Sequence, residues 1–122
     1  MADQTPNIFP ALRFVDPDTA LDWLSQAFGF TQRAVHHDDQ GVIRHAEMSL
    51  GAGTIMFGHG DPRSQSIYVA VEDADAHYAR AKAAGAEIIR ELEDTPYGSR
   101  EYSARDLEGN VWSFGTYQPE PG

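Results

Sequence analysis

PYGSREYSARDLEGNVWSFGTY, Pro96 to Tyr117, is the stretch whose reading decides the fold. Arg100 to Arg105 alternates as a strand. Asp106, Glu108, Gly109 and Asn110 supply turn residues, and Val111 to Tyr117 is a second strand rich in β-branched and aromatic side chains. The stretch therefore reads as a β-hairpin. Alternation puts Tyr102, Ala104, Trp112 and Phe114 on one apolar side that must be covered. Glu101, Ser103, Val111, Ser113 and Gly115 fall on the other, a mixed lining rather than a core.

Working outward, the segment before the hairpin repeats the segment that begins the chain. Ile8 to Val15 reads as a strand. Asp16-Pro17-Asp18-Thr19 starts a helix, with proline early and acids in the first turn, and Gly29 stops it. Trp23 and Phe28, at helical spacing with Ala20, Leu24 and Ala27, are expected in the core. Phe30 to His37, Val42 to Leu50 and Gly53 to Gly58 read as three strands, joined by the turns Asp38-Asp39-Gln40-Gly41 and Gly51-Ala52. After the loop His59 to Ser64 the order returns: strand Ser66 to Val71, helix Asp73 to Ala84 ended by Gly85, strand Glu87 to Leu92, then the hairpin. Val15 to Gly29 matches Val71 to Gly85 at an offset of 56, and Ile55-Met56-Phe57-Gly58 matches Trp112-Ser113-Phe114-Gly115 at an offset of 57. The chain is thus α+β, two copies of β-α-β-β-β, each too small to bury its own sheet face. The expected organisation is one domain over 1–122, with module one about 8–58, a linker 59–64 and module two about 65–117. Residues 1–7 and 118–122 read as frayed ends.

Composition removes several function classes. Nine Lys plus Arg against nineteen Asp plus Glu give a net charge of −10, which argues against nucleic acid or an anionic membrane surface as partner. There is no cysteine, hence no disulfide and no thiolate chemistry. No apolar run has the length of a membrane span, MADQTPNIFP has neither the basic start nor the apolar stretch of a signal peptide, and the expected location is cytoplasmic.

The doubled module, the first helix's D-x-D-x-A-x-x-W over Asp16 to Trp23, HAEMSLGAGTIMFG and the final hairpin resemble the vicinal oxygen chelate superfamily, in its glyoxalase and bleomycin-resistance branch. Leu107 stands where the family turn usually has proline. The resemblance implies curved mixed sheets that form a cleft, commonly in a homodimer, and in the superfamily's enzymes a divalent metal held by His, Gln or Glu side chains on the first and last strands of each module. The corresponding positions here are Phe9, Met56, Ser66 and Ser113, none of which makes such a centre. No metal ligand and no cofactor is therefore assigned, although a divalent metal at a displaced set stays open.

If Gly51-Ala52 is a two-residue turn, Glu47 lies opposite Met56. His45, Glu47 and Ser49 then share the cleft face, while Ala46, Met48, Leu50, Ile55 and Phe57 share the helix side. His45 and Glu47 are the candidate catalytic pair, by metal binding or proton transfer, against the plainer reading of a polar lining. His36 and His37 before Asp38 and Asp39 read as an exposed hairpin tip, and His59 and His77 as solvent-facing. The candidate ligand surface is Phe9, Arg13, His45, Glu47, Met56, Ser66, Tyr68, Tyr97, Glu101, Ser103 and Ser113. Tyr97 resembles the aromatic residue of the P-W-G loop that lines the drug cavity of bleomycin-resistance proteins. The function expected is binding or sequestration of a cationic or aromatic small molecule, as in antibiotic resistance, by a metal-free homodimer. The alternatives are a glyoxalase-like lyase or isomerase using a displaced metal or Glu47 as acid or base, and a structural or partner-regulated domain.

Overall fold

The structure, a computed structural model, describes residues 5–119; the remaining end residues, 1–4 and 120–122, lie outside them. Eight strands and two helices run in the order β1 (Ile8–Phe14), α1 (Pro17–Phe28), β2 (Thr31–His37), β3 (Ile43–Leu50), β4 (Gly53–His59), β5 (Ser66–Ala70), α2 (Ala74–Ala83), β6 (Glu87–Asp94), β7 (Arg100–Arg105) and β8 (Val111–Gly115). A short 3-10 turn, Pro62–Ser64, interrupts the loop before β5. The fold is α+β with β-α-β-β-β twice, and the chain divides into two compact units after Gln65.

In the first unit the strand order is β2-β3-β4-β1. β1 runs parallel to β4 with Ala11 opposite Met56; β3 is antiparallel to both its neighbours. Leu50 faces Gly53 across the Gly51-Ala52 turn, so Glu47 is paired with Met56 as expected. The Asp16 carboxylate caps α1 by accepting the Thr19 N–H at 3.1 Å, and Gly29 ends the helix in the left-handed region, φ 81°. α1 lays Ala20 and Leu24 on Ile43, Ala46, Met48 and Phe57, which form the core cluster. Trp23 and Phe28, expected there, are instead 54% and 58% exposed and pack edge to face on each other at 4.8 Å. The buried stripe of α1 is Pro17, Ala20 and Leu24, which leaves the two rings outward. Leu50, expected on the helix side, sits at the turn and is half exposed as well.

In the second unit the order is β5-β8-β7-β6, with β5 parallel to β8 and Tyr68 opposite Ser113. That pair repeats Ala11 and Met56 at the offset of 57 seen in the letters. Asp73 caps α2 through the Ala76 N–H at 3.0 Å. The β7–β8 hairpin pairs Tyr102 with Phe114 and Ala104 with Trp112 on one side, Glu101 with Gly115 and Ser103 with Ser113 on the other. His77 of α2 covers the apolar side: its ring lies 4.3 Å from that of Phe114 and its Nδ1 is 2.6 Å from the Tyr102 hydroxyl. The expectation that His77 faces solvent is therefore wrong, and desolvation, with Arg80 nearby, lowers its pKa from the usual histidine value. β8 stops at Gly115 rather than Tyr117, because the Tyr117 N–H turns away to the Ser99 hydroxyl at 3.0 Å. Among the described residues no helix is long and apolar enough to cross a membrane.

Candidate functional site

Each unit turns one face toward its helix and leaves the other for chemistry. In the first unit Phe9, Ala11 and Arg13 of β1, His45, Glu47 and Ser49 of β3 and Met56 of β4 share the face away from α1. Glu47 is 2% exposed, and its carboxylate is 2.6 Å from His45 Nε2. A histidine and a buried carboxylate at that distance can pass a proton between them. Ser49 is buried and accepts from Arg33 Nε at 2.8 Å, a contact reached through an irregularity in β2 between Gln32 and Ala34. Phe9 is buried at 2% and Met56 half-buried, so both serve as apolar floor. His36 lies across from His45 with the rings stacked at 6.0 Å. Asp38 is tied into its turn by the N–H groups of Gln40 and Val42 and by Arg44, and His37 stands 3.9 Å from Asp18.

In the second unit the face away from α2 carries Ser66, Tyr68, Glu101, Ser103 and Ser113. Glu101 is buried, and two groups the sequence did not join to it meet it there. Arg90 Nη2 donates to one carboxylate oxygen at 3.1 Å, and the Tyr97 hydroxyl lies 3.2 Å from both. Arg90 also binds Glu93 at 2.9 Å and the Ser103 hydroxyl at 3.2 Å, while Ser103 and Ser113 hydrogen-bond at 2.8 Å. Burial works against the charge on Arg90, but Glu93 and Glu101 outweigh it and hold its pKa above the usual value. Desolvation first, and Glu101 second, push the Tyr97 and Tyr68 phenols up. Tyr68 donates to the Tyr117 carbonyl at 2.5 Å. Tyr97 remains 67% exposed, with its ring edge to face with Tyr117 at 6.5 Å.

Arg90 is the side chain on this face that sequence reasoning missed. It is the one base within EIIRELED, and two register irregularities in β6 hide which side it takes. The charge contrast inside that strand was the available signal.

The family resemblance implies metal ligands at Phe9, Met56, Ser66 and Ser113; the registers pair Met56 with Ala11 and Ser113 with Tyr68. A phenyl, a thioether and two hydroxyls do not fit a divalent ion. Among the described residues no group of three or more His, Asp or Glu side chains gathers elsewhere to replace them. No step through a metal is derived for this chain.

Comparison with known proteins agrees with this architecture. A solved structure from Vibrio splendidus 12B01, described as a glyoxalase/bleomycin resistance protein/dioxygenase superfamily member, superposes with TM-score 0.71 over 88% of this chain and 95% of that one at 17% identity, and so speaks for the fold alone. TioX from Micromonospora sp. ML1 is 40% identical over 86% of this chain and 93% of its own, with TM-score 0.39. The Mycobacterium bovis protein named "Putative glyoxylase CFP32" is 30% identical over 108 residues; the match takes 86% of this chain and 41% of that relative. The family model for the Glyoxalase/Bleomycin resistance protein/Dioxygenase superfamily matches residues 9–114. The chain belongs to that superfamily.

Proposed function

We propose that this protein binds a planar, cationic aromatic small molecule, without a metal, on the face of the second unit that carries Tyr97 and Glu101. The observation that carries the reading is the Tyr97 ring, two-thirds exposed and fastened through its hydroxyl to the buried Glu101 carboxylate. An exposed ring held in place loses little freedom when a second ring stacks on it. The charge beneath it favours a cation: Arg90 is shared between Glu93 and Glu101, one base against two acids. Cation-π attraction at such a surface is worth about 0.5–2 kcal/mol. Ser113, hydrogen-bonded to Ser103, offers a hydroxyl at a position where the family resemblance implies a metal ligand, which suits hydrogen bonding to an organic molecule rather than coordination.

Titration of proflavine, a planar cation, followed by its own fluorescence tests the reading. Tyr97→Ala is expected to weaken binding about tenfold, the equivalent of ~1.4 kcal/mol. Equal affinities for the two proteins would remove the Tyr97 platform from the account.

A further inference from the structure

In a chain with nineteen Asp plus Glu against nine Lys plus Arg, a strand arginine without an acidic partner is informative. Arg44, Arg63, Arg90, Arg100 and Arg105 are all ion-paired. Among the described residues three arginines have no carboxylate ion pair, Arg80 on α2 and the strand residues Arg13 and Arg33: Arg13 donates to the Leu12 carbonyl at 3.4 Å, and Arg33 to the Ser49 hydroxyl. Both strand arginines stand on the Glu47 face of the first unit. Two fixed positive charges there meet one carboxylate, the opposite sign to the Glu93–Arg90–Glu101 cluster of the second unit.

The register makes the arrangement specific. Arg13 is opposite Gly58, His45 is opposite His36, and the Ala46–Phe57 pairing sets Gly58 beside His45. One row therefore crosses the unit as Arg13, Gly58, His45 and His36. The aliphatic stem of Arg13 lies along Gly60, where a Cβ would come within 2.9 Å of its Cδ; a Cβ at Gly58 would stand 3.7 Å from its Nη1. The Arg13 Nη1 therefore lies against Gly58, and the register sets His45 on the adjacent strand, one strand spacing of about 4.8 Å further on. Glu47 fixes the His45 ring through Nε2 at 2.6 Å and acts as a positioning residue.

The geometry points to an oxyanion seat on this face, in which the Arg13 guanidinium above Gly58, with His45 beside it, holds a carboxylate or phosphate group of a small molecule. A guanidinium fork matches either group with two parallel hydrogen bonds. The acids that give the chain its net charge act weakly here, since exposed charges beyond about 10 Å are screened at 0.1 M salt. This seat does not rest on the Tyr97 reading; it uses other residues in the other unit.

Calorimetric titration with inorganic phosphate and with benzoate, at constant ionic strength, tests the seat and tells the two sources apart. The expected result is saturable one-site binding of at least one probe, weakened at least tenfold by Arg13→Gln and in part by Arg13→Lys, which keeps the charge without the fork. Arg80→Gln, on α2, removes an arginine outside the row and is expected to change nothing. No saturable binding of either probe overturns the proposal, as do equal losses in the Arg13 and Arg80 variants. Should Arg13→Gln fail to fold, Arg13→Lys and Arg80→Gln binding alike would overturn it. Proflavine affinity is expected to survive Arg13→Gln, so failure here and failure of the Tyr97 reading are distinguishable.

Discussion

Gly115 is held at its size by what crosses above it. A Cβ there would fall 2.7 Å from Glu101 Cγ and 2.8 Å from the Tyr68 hydroxyl. Both neighbours are tethered, Glu101 by Arg90 and Tyr97 and Tyr68 by the Tyr117 carbonyl, so neither can step aside cheaply. Gly115→Ala is expected to destabilise by about 1–3 kcal/mol, the usual range for overpacking a close contact, measured by chemical denaturation. An unchanged midpoint would mean that the Glu101 network is loose. The same network shows what single letters could not carry. Glu101 on a polar strand face reads as a carboxylate awaiting a ligand, yet it is already shared with an arginine eleven residues earlier, across a strand with two register irregularities. Ser113 was legible, because the turn at Gly109 and strict alternation in β8 leave its face no choice.

At the scale of elements, the β7–β8 hairpin needs no proline in its turn because Asp106 organises it. Its carboxylate accepts the N–H groups of Glu108 and Asn110 and the Trp112 indole N–H at 2.9–3.0 Å, while Leu107 projects outward, 94% exposed. These bonds, the Trp112 indole first, lower the Asp106 pKa from 3.8 to about 2. A carboxyl whose pKa is depressed on folding contributes stability that is complete above its unfolded value and is lost as pH falls through the folded one. The Asp106 contribution is therefore present above pH 3.8 and disappears as pH falls toward 2. In Asp106→Asn the melting temperature is expected to drop at neutral pH and to depend less on pH across that window; an unchanged acid limb would contradict the assignment. The helices were legible to different degrees. Asp16, Asp73 and Gly29 marked their ends, since caps are local chemistry. Which side of α1 is buried was not, because Trp23 and Phe28 offer as much apolar surface as Ala20 and Leu24 and only the sheet beneath decides between them. α2 is similarly mute, its alanines marking no face, so the contact of His77 with Tyr102 had to come from the structure.

At the scale of the whole molecule, duplication explains why the topology could be read and the chemistry only in part. An offset of 57 recurs in the parallel pairs Ala11–Met56 and Tyr68–Ser113, so one module checks the other. Side chains on the two working faces have diverged, to an Arg13–His45–Glu47 face in one unit and an Arg90–Glu101–Tyr97 face in the other. Among the described residues neither face gathers three or more His, Asp or Glu side chains, and ligand binding without a metal is the account's central claim. Its most direct test is the proflavine affinity of protein stripped with EDTA and dialysed, measured before and after one equivalent of Zn²⁺, Ni²⁺ or Mn²⁺. The account predicts the same dissociation constant in all four titrations; binding lost on stripping and restored by one equivalent of any of these ions would contradict it.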